Sequence, residues 1–240
     1  MKNMVSVREE GYPVKIEVDS VTLDGILTEP DNAQGLVIFI HESGSNRFNP
    51  TNQYLAGGLN KAGMATLLFD LLDAQEAEFD KVVRHLRFDV DFMVQRTAAV
   101  TDWAMRRLGM RGLNIGFFGC GRGAATALIA ACQRPDLVGA IVSLGGRLDL
   151  AKTSLPLVST PTLLVVGMVR SVLALNQAAM EVLPWDLEKR LEIFKEVSYF
   201  WGNPGTLEKL SNLVNEWFKR LSYPSMEETL QSPSVLMSPA

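Results

Sequence analysis

The order of apolar and polar positions divides the chain into an opening hairpin and a long alternation of strands and helices. Residues 14–18 and 21–27 alternate apolar with polar, with Asp19-Ser20 between them. That is the pattern of two antiparallel strands at a sheet edge. After a turn at 30–34, residues 35–40 are apolar without a break, as in a strand covered on both faces. Further strand-like runs fall at 64–72, 113–119, 138–144, 162–167 and 190–194. Helical spacing predicts helices over 52–62, 81–108, from just after Gly121 to about 134, 172–183 and 206–221. In the long 81–108 segment, Leu86, Val90, Met93, Thr97, Val100 and Ala104 follow one another by fours and threes, giving one core-facing stripe. Gly63 and Pro135 are natural stops.

Eight strands alternating with helices imply an α/β fold, with a mostly parallel eight-stranded sheet and helices on both faces. Ligands then bind beyond the carboxyl ends of the strands. Residues 1–222 read as one domain. The Pro- and Ser-bearing stretch 223–240 reads as a disordered tail.

The fifth strand and its helix hold the most informative stretch, Gly119-Cys120-Gly121-Arg122-Gly123-Ala124-Ala125. An apolar strand passing through a glycine-dense turn into a small-residue helix is a sharp elbow. In many enzymes such an elbow reads Gly-x-Ser-x-Gly and lifts a nucleophile above the sheet. Here the middle position is Gly121, which has no side chain to attack with. The glycines do not form a phosphate loop either, since no Lys-Ser/Thr ending follows and their spacing misses the dinucleotide pattern.

The 240 residues are 47% hydrophobic and 21% charged, values of an ordinary globular protein. The net charge of -4 argues against nucleic acid or an anionic membrane as partner. No run reaches the length of a membrane span or a signal peptide. Cys120 and Cys132 make neither a metal pattern nor a disulfide framework, so a cytoplasmic location and no cofactor are expected. His41 and His85 are the only histidines, which limits the supply of general bases.

Taken together, residues 27–45, 65–72, 85–89, 116–125, 143–150 and 161–167 resemble the α/β-hydrolase superfamily, and within it the dienelactone-hydrolase-like branch. The likeness threads through nearly the whole chain to about residue 221. It implies a Ser–Asp–His triad and an oxyanion loop, each altered here. The loop, commonly His-Gly-Ser-Gly-Ser, reads His41-Glu42-Ser43-Gly44-Ser45. The nucleophile position is Gly121, the acid position Arg170 and the base position Tyr199. A triad that loses any one member loses most of its rate. The resemblance also places Ser43, His85, Arg122 and Ser143 around the substrate.

Several substitutes stay open. Cys120, near a helix N-terminus, could be an activated nucleophile, or could pack under the elbow. His41 could be a base or a buttress of its loop, and His85 a site residue or part of a local hydrogen-bond cluster. Glu42 could pair with Arg122 and fill the old pocket. Alternatively, Arg122 and Arg170 could hold an anionic ligand. Three functions follow: a pseudo-hydrolase that binds a small molecule or partner, an esterase or lactone hydrolase working through Cys120, His41 or Glu42, and an enolate-stabilising enzyme with Glu42 as base. Oligomeric state is not specified by the sequence.

Overall fold

A computed structural model describes residues 10–18, 20–42, 44–108, 114–197 and 201–222. Ser43, Tyr199 and the expected tail 223–240 lie outside the described residues.

The strands are β1 (Tyr12–Val18), β2 (Val21–Thr28), β3 (Gly35–Ile40), β4 (Ala65–Phe69), β5 (Asn114–Cys120), β6 (Val138–Leu144), β7 (Thr162–Gly167) and β8 (Lys189–Phe194). They form one eight-stranded sheet in the order β1-β2-β4-β3-β5-β6-β7-β8. The β1–β2 and β2–β4 pairs are antiparallel, whereas β4-β3-β5-β6-β7-β8 run parallel. The helices are α1 (Pro50–Lys61), α2 (Ala74–Val83), α3 (Val90–Leu108), α4 (Arg122–Gln133), α5 (Arg170–Val182) and α6 (Pro204–Phe218).

The uninterrupted apolar strands serve two cores at once. In β3, Leu36, Ile38 and Ile40 enter the core under α3, α4 and α5, whereas Val37 and Phe39 enter the one under α1 and α6. This is the period-two alternation of a strand covered on both sides. The opening hairpin stands at the edge that its alternating pattern predicts.

Helix α4 lies unusually close to the sheet. A Cβ on Gly119 would come within 2.5 Å of the Gly123 carbonyl oxygen, and one on Gly123 within 2.2 Å of the Ile40 carbonyl oxygen. Backbone packs directly on backbone here, so these two glycines set the position of the elbow.

The expected helix 81–108 is in fact two helices. Helix α2 starts earlier, with a capping box in which Asp73 accepts from the Glu76 N–H and Glu76 accepts from the Asp73 N–H. It ends at Arg84, whose left-handed backbone (φ 50°) redirects the chain. The fully buried Asp80 carboxylate accepts hydrogen bonds from the Leu86 N–H and the Arg87 side chain. It thereby holds a 3-10 turn at Leu86–Phe88. Asp89 then accepts from the Phe92 N–H and opens α3. The stripe from Met93 through Thr97 and Val100 to Ala104 is buried as its spacing requires. Arg96 and Glu76 tie α3 to α2 by a two-pronged ion pair, at 2.7 and 3.1 Å.

Candidate functional site

The elbow takes the strained form that its sequence implies. Gly121 caps α4 with φ 54° and ψ -116°, a region that favours glycine. Its N–H donates to the Leu144 carbonyl at 3.1 Å, and its carbonyl accepts from the Arg147 N–H at 2.9 Å. The turn after β6 is thus stitched to the elbow.

A cavity of about 270 Å³ opens beside Gly121. The carboxyl ends of three strands form its floor, through Cys120 and Gly121, Leu144 and Gly145, and Val166 and Gly167. Val169, Val172 and Trp201 add an apolar wall. Glu42, Ser45, Asn49, Thr51 and Asn52 supply the polar side, from the segment between β3 and the first turns of α1.

Glu42 is solvent-exposed, with its carboxylate turned toward the elbow. Its Oε1 lies 2.7 Å from the point where a Cβ on Gly121 would stand, and its Cδ lies 2.9 Å from that point. The carboxylate therefore takes up the space a side chain at position 121 would need. Among the described residues no Lys or Arg is in ion-pair contact with it. Arg122 instead stacks over the exposed Phe88 ring, 4.9 Å from its centroid. The Glu42–Arg122 pair considered from sequence does not form.

The second arginine is also elsewhere. Arg170 begins α5 and is exposed, and neither arginine lines the cavity. An anion site built on Arg122 and Arg170 is therefore not assembled.

Cys120 does line the cavity, with its thiol donating to Asn52 Oδ1 at 3.7 Å. Burial, and after it the Glu42 carboxylate, push that thiol well above the ordinary cysteine range. Of the two roles open to Cys120 from sequence, this environment favours the packed thiol over the activated thiolate.

His41 is buried and makes contact within its own loop, Nδ1 to the Glu42 carbonyl oxygen at 3.0 Å. A carbonyl only accepts, so Nδ1 carries the proton. Burial lowers the ring's pKa, with the carbonyls of Glu42 and Phe69 and the Asp70 carboxylate opposing. His41 lines a separate cavity of about 340 Å³, on the β4 side of the loop, and not the one at the elbow. His85 is exposed, with Nε2 3.8 Å from Asp89 Oδ2, and lines neither cavity. Ser143 is fully buried below the floor, its Oγ 2.4 Å from the Cβ position of Gly146. Of the four residues expected around a substrate, Arg122, Ser143 and His85 thus lie outside the cavity, and Ser43 falls among the residues not described.

Sequence reading passed over Asn49, Asn52 and Trp201. Asn49-Pro50 is an N-cap followed by a helix-starting proline, the signal that could have drawn attention to the first turn of α1. Asn49 Oδ1 accepts from the Asn52 N–H at 3.1 Å and so fixes that turn against the elbow. Among the described residues no group of three or more His, Cys, Asp or Glu could hold a metal ion. No helix among them is long and apolar enough to cross a membrane.

The solved structure of a dienelactone hydrolase from Anabaena variabilis is 43% identical to this chain. The match covers 89% of this chain and 99% of that one, with a TM-score of 0.84. The chain belongs to the dienelactone-hydrolase family. Fold alone is shared with Est1E of Butyrivibrio proteoclasticus (16% identity, 88% of this chain and 99% of that chain, TM-score 0.66). The same holds for an esterase of Pyrococcus furiosus (17% identity, 89% and 92%, TM-score 0.69). Two Mycobacterium tuberculosis proteins, each named "Putative phosphoribosyl transferase", are 40% identical over 206 residues. Those matches take in 85% of this dienelactone-hydrolase-family chain and 45% of theirs, so it spans about half the length of these curated relatives. No protein-family model matches the chain.

Proposed function

We propose that this member of the dienelactone-hydrolase family does not hydrolyse esters and instead binds a small molecule in the elbow cavity. The observation that carries the proposal is the Glu42–Gly121 contact. An acyl-transfer site needs a nucleophile at the elbow and hydrogen-bond donors that welcome a developing oxyanion. Position 121 offers no nucleophile. The carboxylate beside it brings negative charge to the place where negative charge would have to form. By likeness to the family, the acid and base positions are Arg170 and Tyr199, and no histidine occurs beyond His85.

The substitute chemistries receive little support. A thiol raised by burial is a poor nucleophile at neutral pH, and the His41 Nδ1–H is committed to its own loop. What persists is a partly apolar cavity at the carboxyl ends of the strands, near the small end of the range for ligand pockets. Phosphoribosyl transfer, the activity in the mycobacterial proteins' name, is not proposed, because among the described residues no cationic side chain lines the cavity to hold a phosphate. Two free thiols, Cys120 and Cys132, suit a reducing compartment, and we place the protein in the cytoplasm.

Incubation with p-nitrophenyl acetate followed by intact-mass measurement tests the proposal. Unmodified protein and no hydrolysis above buffer are expected. An acetylated Cys120, or turnover lost in Cys120→Ala, would overturn it.

A further inference from the structure

Among the described residues, Glu42 is the only charged one lining the elbow cavity. The neutral polar groups beside it are largely committed to one another. Asn49 Nδ2 donates to Ser45 Oγ at 3.1 Å, Asn49 Oδ1 takes the Asn52 N–H, and Asn52 Oδ1 takes the Cys120 thiol. The Glu42 carboxylate, by contrast, has no cationic partner among the described residues. The rest of the lining is largely apolar, with Leu144 and Val166 on the floor and Val169, Val172 and Trp201 on the wall.

We infer that the ligand of this cavity is a small primary ammonium carrying an apolar body, its charge held by Glu42 and its body laid against the Trp201 side. The inference rests on the binding reading above and adds the ligand's chemical class. Glu42 is exposed at the open side of the cavity, so a ligand ammonium can reach its carboxylate from solvent and replace water there with charged hydrogen bonds. A carboxylate or phosphate ligand meets the opposite situation, since Glu42 repels it and no arginine among the described residues lines the walls to compensate. The aromatic ring in the wall also favours a cation over an anion. Glu42 thereby changes from an obstruction to ester chemistry into the recognition element of a different ligand.

Three compounds of one shape but different charge provide the test: benzylammonium, benzyl alcohol and benzoate. Each is titrated by calorimetry and by thermal shift into the full-length wild type and into Glu42→Gln. Benzylammonium is expected to bind about tenfold or more tightly than either of the others, and Glu42→Gln to remove that preference. In the wild type alone, added sodium chloride should weaken benzylammonium but not benzyl alcohol. This readout holds even if the variant folds poorly. Equal or tighter binding of benzoate overturns the inference, as does an ammonium preference that survives in Glu42→Gln. Benzyl alcohol binding without any ammonium preference overturns the inference and leaves the binding reading standing. Failure of all three compounds to bind counts against both.

Discussion

A carboxylate oxygen of Glu42 lies 2.7 Å from the place where Gly121 would carry its Cβ. Side chain and missing side chain are complementary, because any residue larger than glycine at 121 would have to displace Glu42. The positive φ of Gly121 adds a second reason for glycine.

Gly121→Ser alone should therefore destabilise the protein without creating activity. Backbone strain at such a φ costs about 1–2 kcal/mol, which for a chain of this size is about 2–8 °C in Tm. Adding Glu42→Gly should recover the part of the loss due to the contact and leave the part due to the backbone. Thermal unfolding of the single and double variants checks this. A Tm for Gly121→Ser equal to or above that of the wild type would contradict it.

Cys120 should react slowly with iodoacetamide at neutral pH. Its raised pKa means that the thiolate appears only well above the usual cysteine range, so the alkylation rate should keep climbing into alkaline solution. Cys132 is shifted the same way, mainly by burial. Peptide mapping of the modified protein distinguishes the two sites. Rapid labelling of Cys120 at pH 7 would show an activated thiolate and contradict this description of the cavity.

The sheet was legible because each buried strand is an unbroken apolar run, and the elbow because glycines at 119, 121 and 123 have few other uses. The break between α2 and α3 was not legible. Asp80 is charged in the sequence but fully buried in the fold, and the turn it organises depends on Arg87, seven residues on. Periodicity alone cannot show such a turn. The start of α2 was readable in Asp73-Ala74-Gln75-Glu76, a capping-box spacing that was passed over. What lines the cavity was not legible. Arg122 and Arg170 open α4 and α5 at the correct end of the sheet, yet one stacks on Phe88 and the other faces solvent. Where a side chain at a helix start turns is set by its neighbours, which no spacing rule encodes.

Asp80 should make stability depend on acid. Burial alone would raise its pKa, but hydrogen bonds from Arg87 and the Leu86 N–H outweigh burial and hold the carboxyl below the ordinary aspartate value. A lowered folded-state pKa contributes stability above about pH 4, the unfolded value, and that contribution is lost as pH falls through the folded one. Asp80→Asn should cost about 1–3 kcal/mol at pH 7 and flatten the loss between neutral and acid pH. Urea midpoints of both proteins from pH 7 to pH 3 test the sign. A variant as stable as the wild type at pH 7 would contradict it.

Gly123→Ala should be among the most damaging single changes. Its Cβ would meet the Ile40 and His41 carbonyl oxygens at 2.2 and 2.8 Å, and neither backbone can move without shifting β3 or α4. A loss of about 3 kcal/mol or more is expected. Gly57→Ala, where a Cβ meets nothing within 4 Å, should not destabilise helix α1. Chemical denaturation of the pair gives the contrast, and equal stability of the two variants would contradict the close packing of α4.

The most direct test of the central claim is the rate of p-nitrophenyl acetate hydrolysis by two proteins. One is the wild type. The other is the variant Glu42→Gly, Gly121→Ser, Arg170→Asp and Tyr199→His, which puts the residues expected of the family at the four positions the resemblance assigns to the oxyanion loop and triad. The wild type should match buffer, and the fourfold variant should hydrolyse the ester above it, because the scaffold is kept and only the chemistry is missing. Hydrolysis by the wild type, unchanged or reduced in the fourfold variant, would show that the elbow already performs acyl transfer by another route.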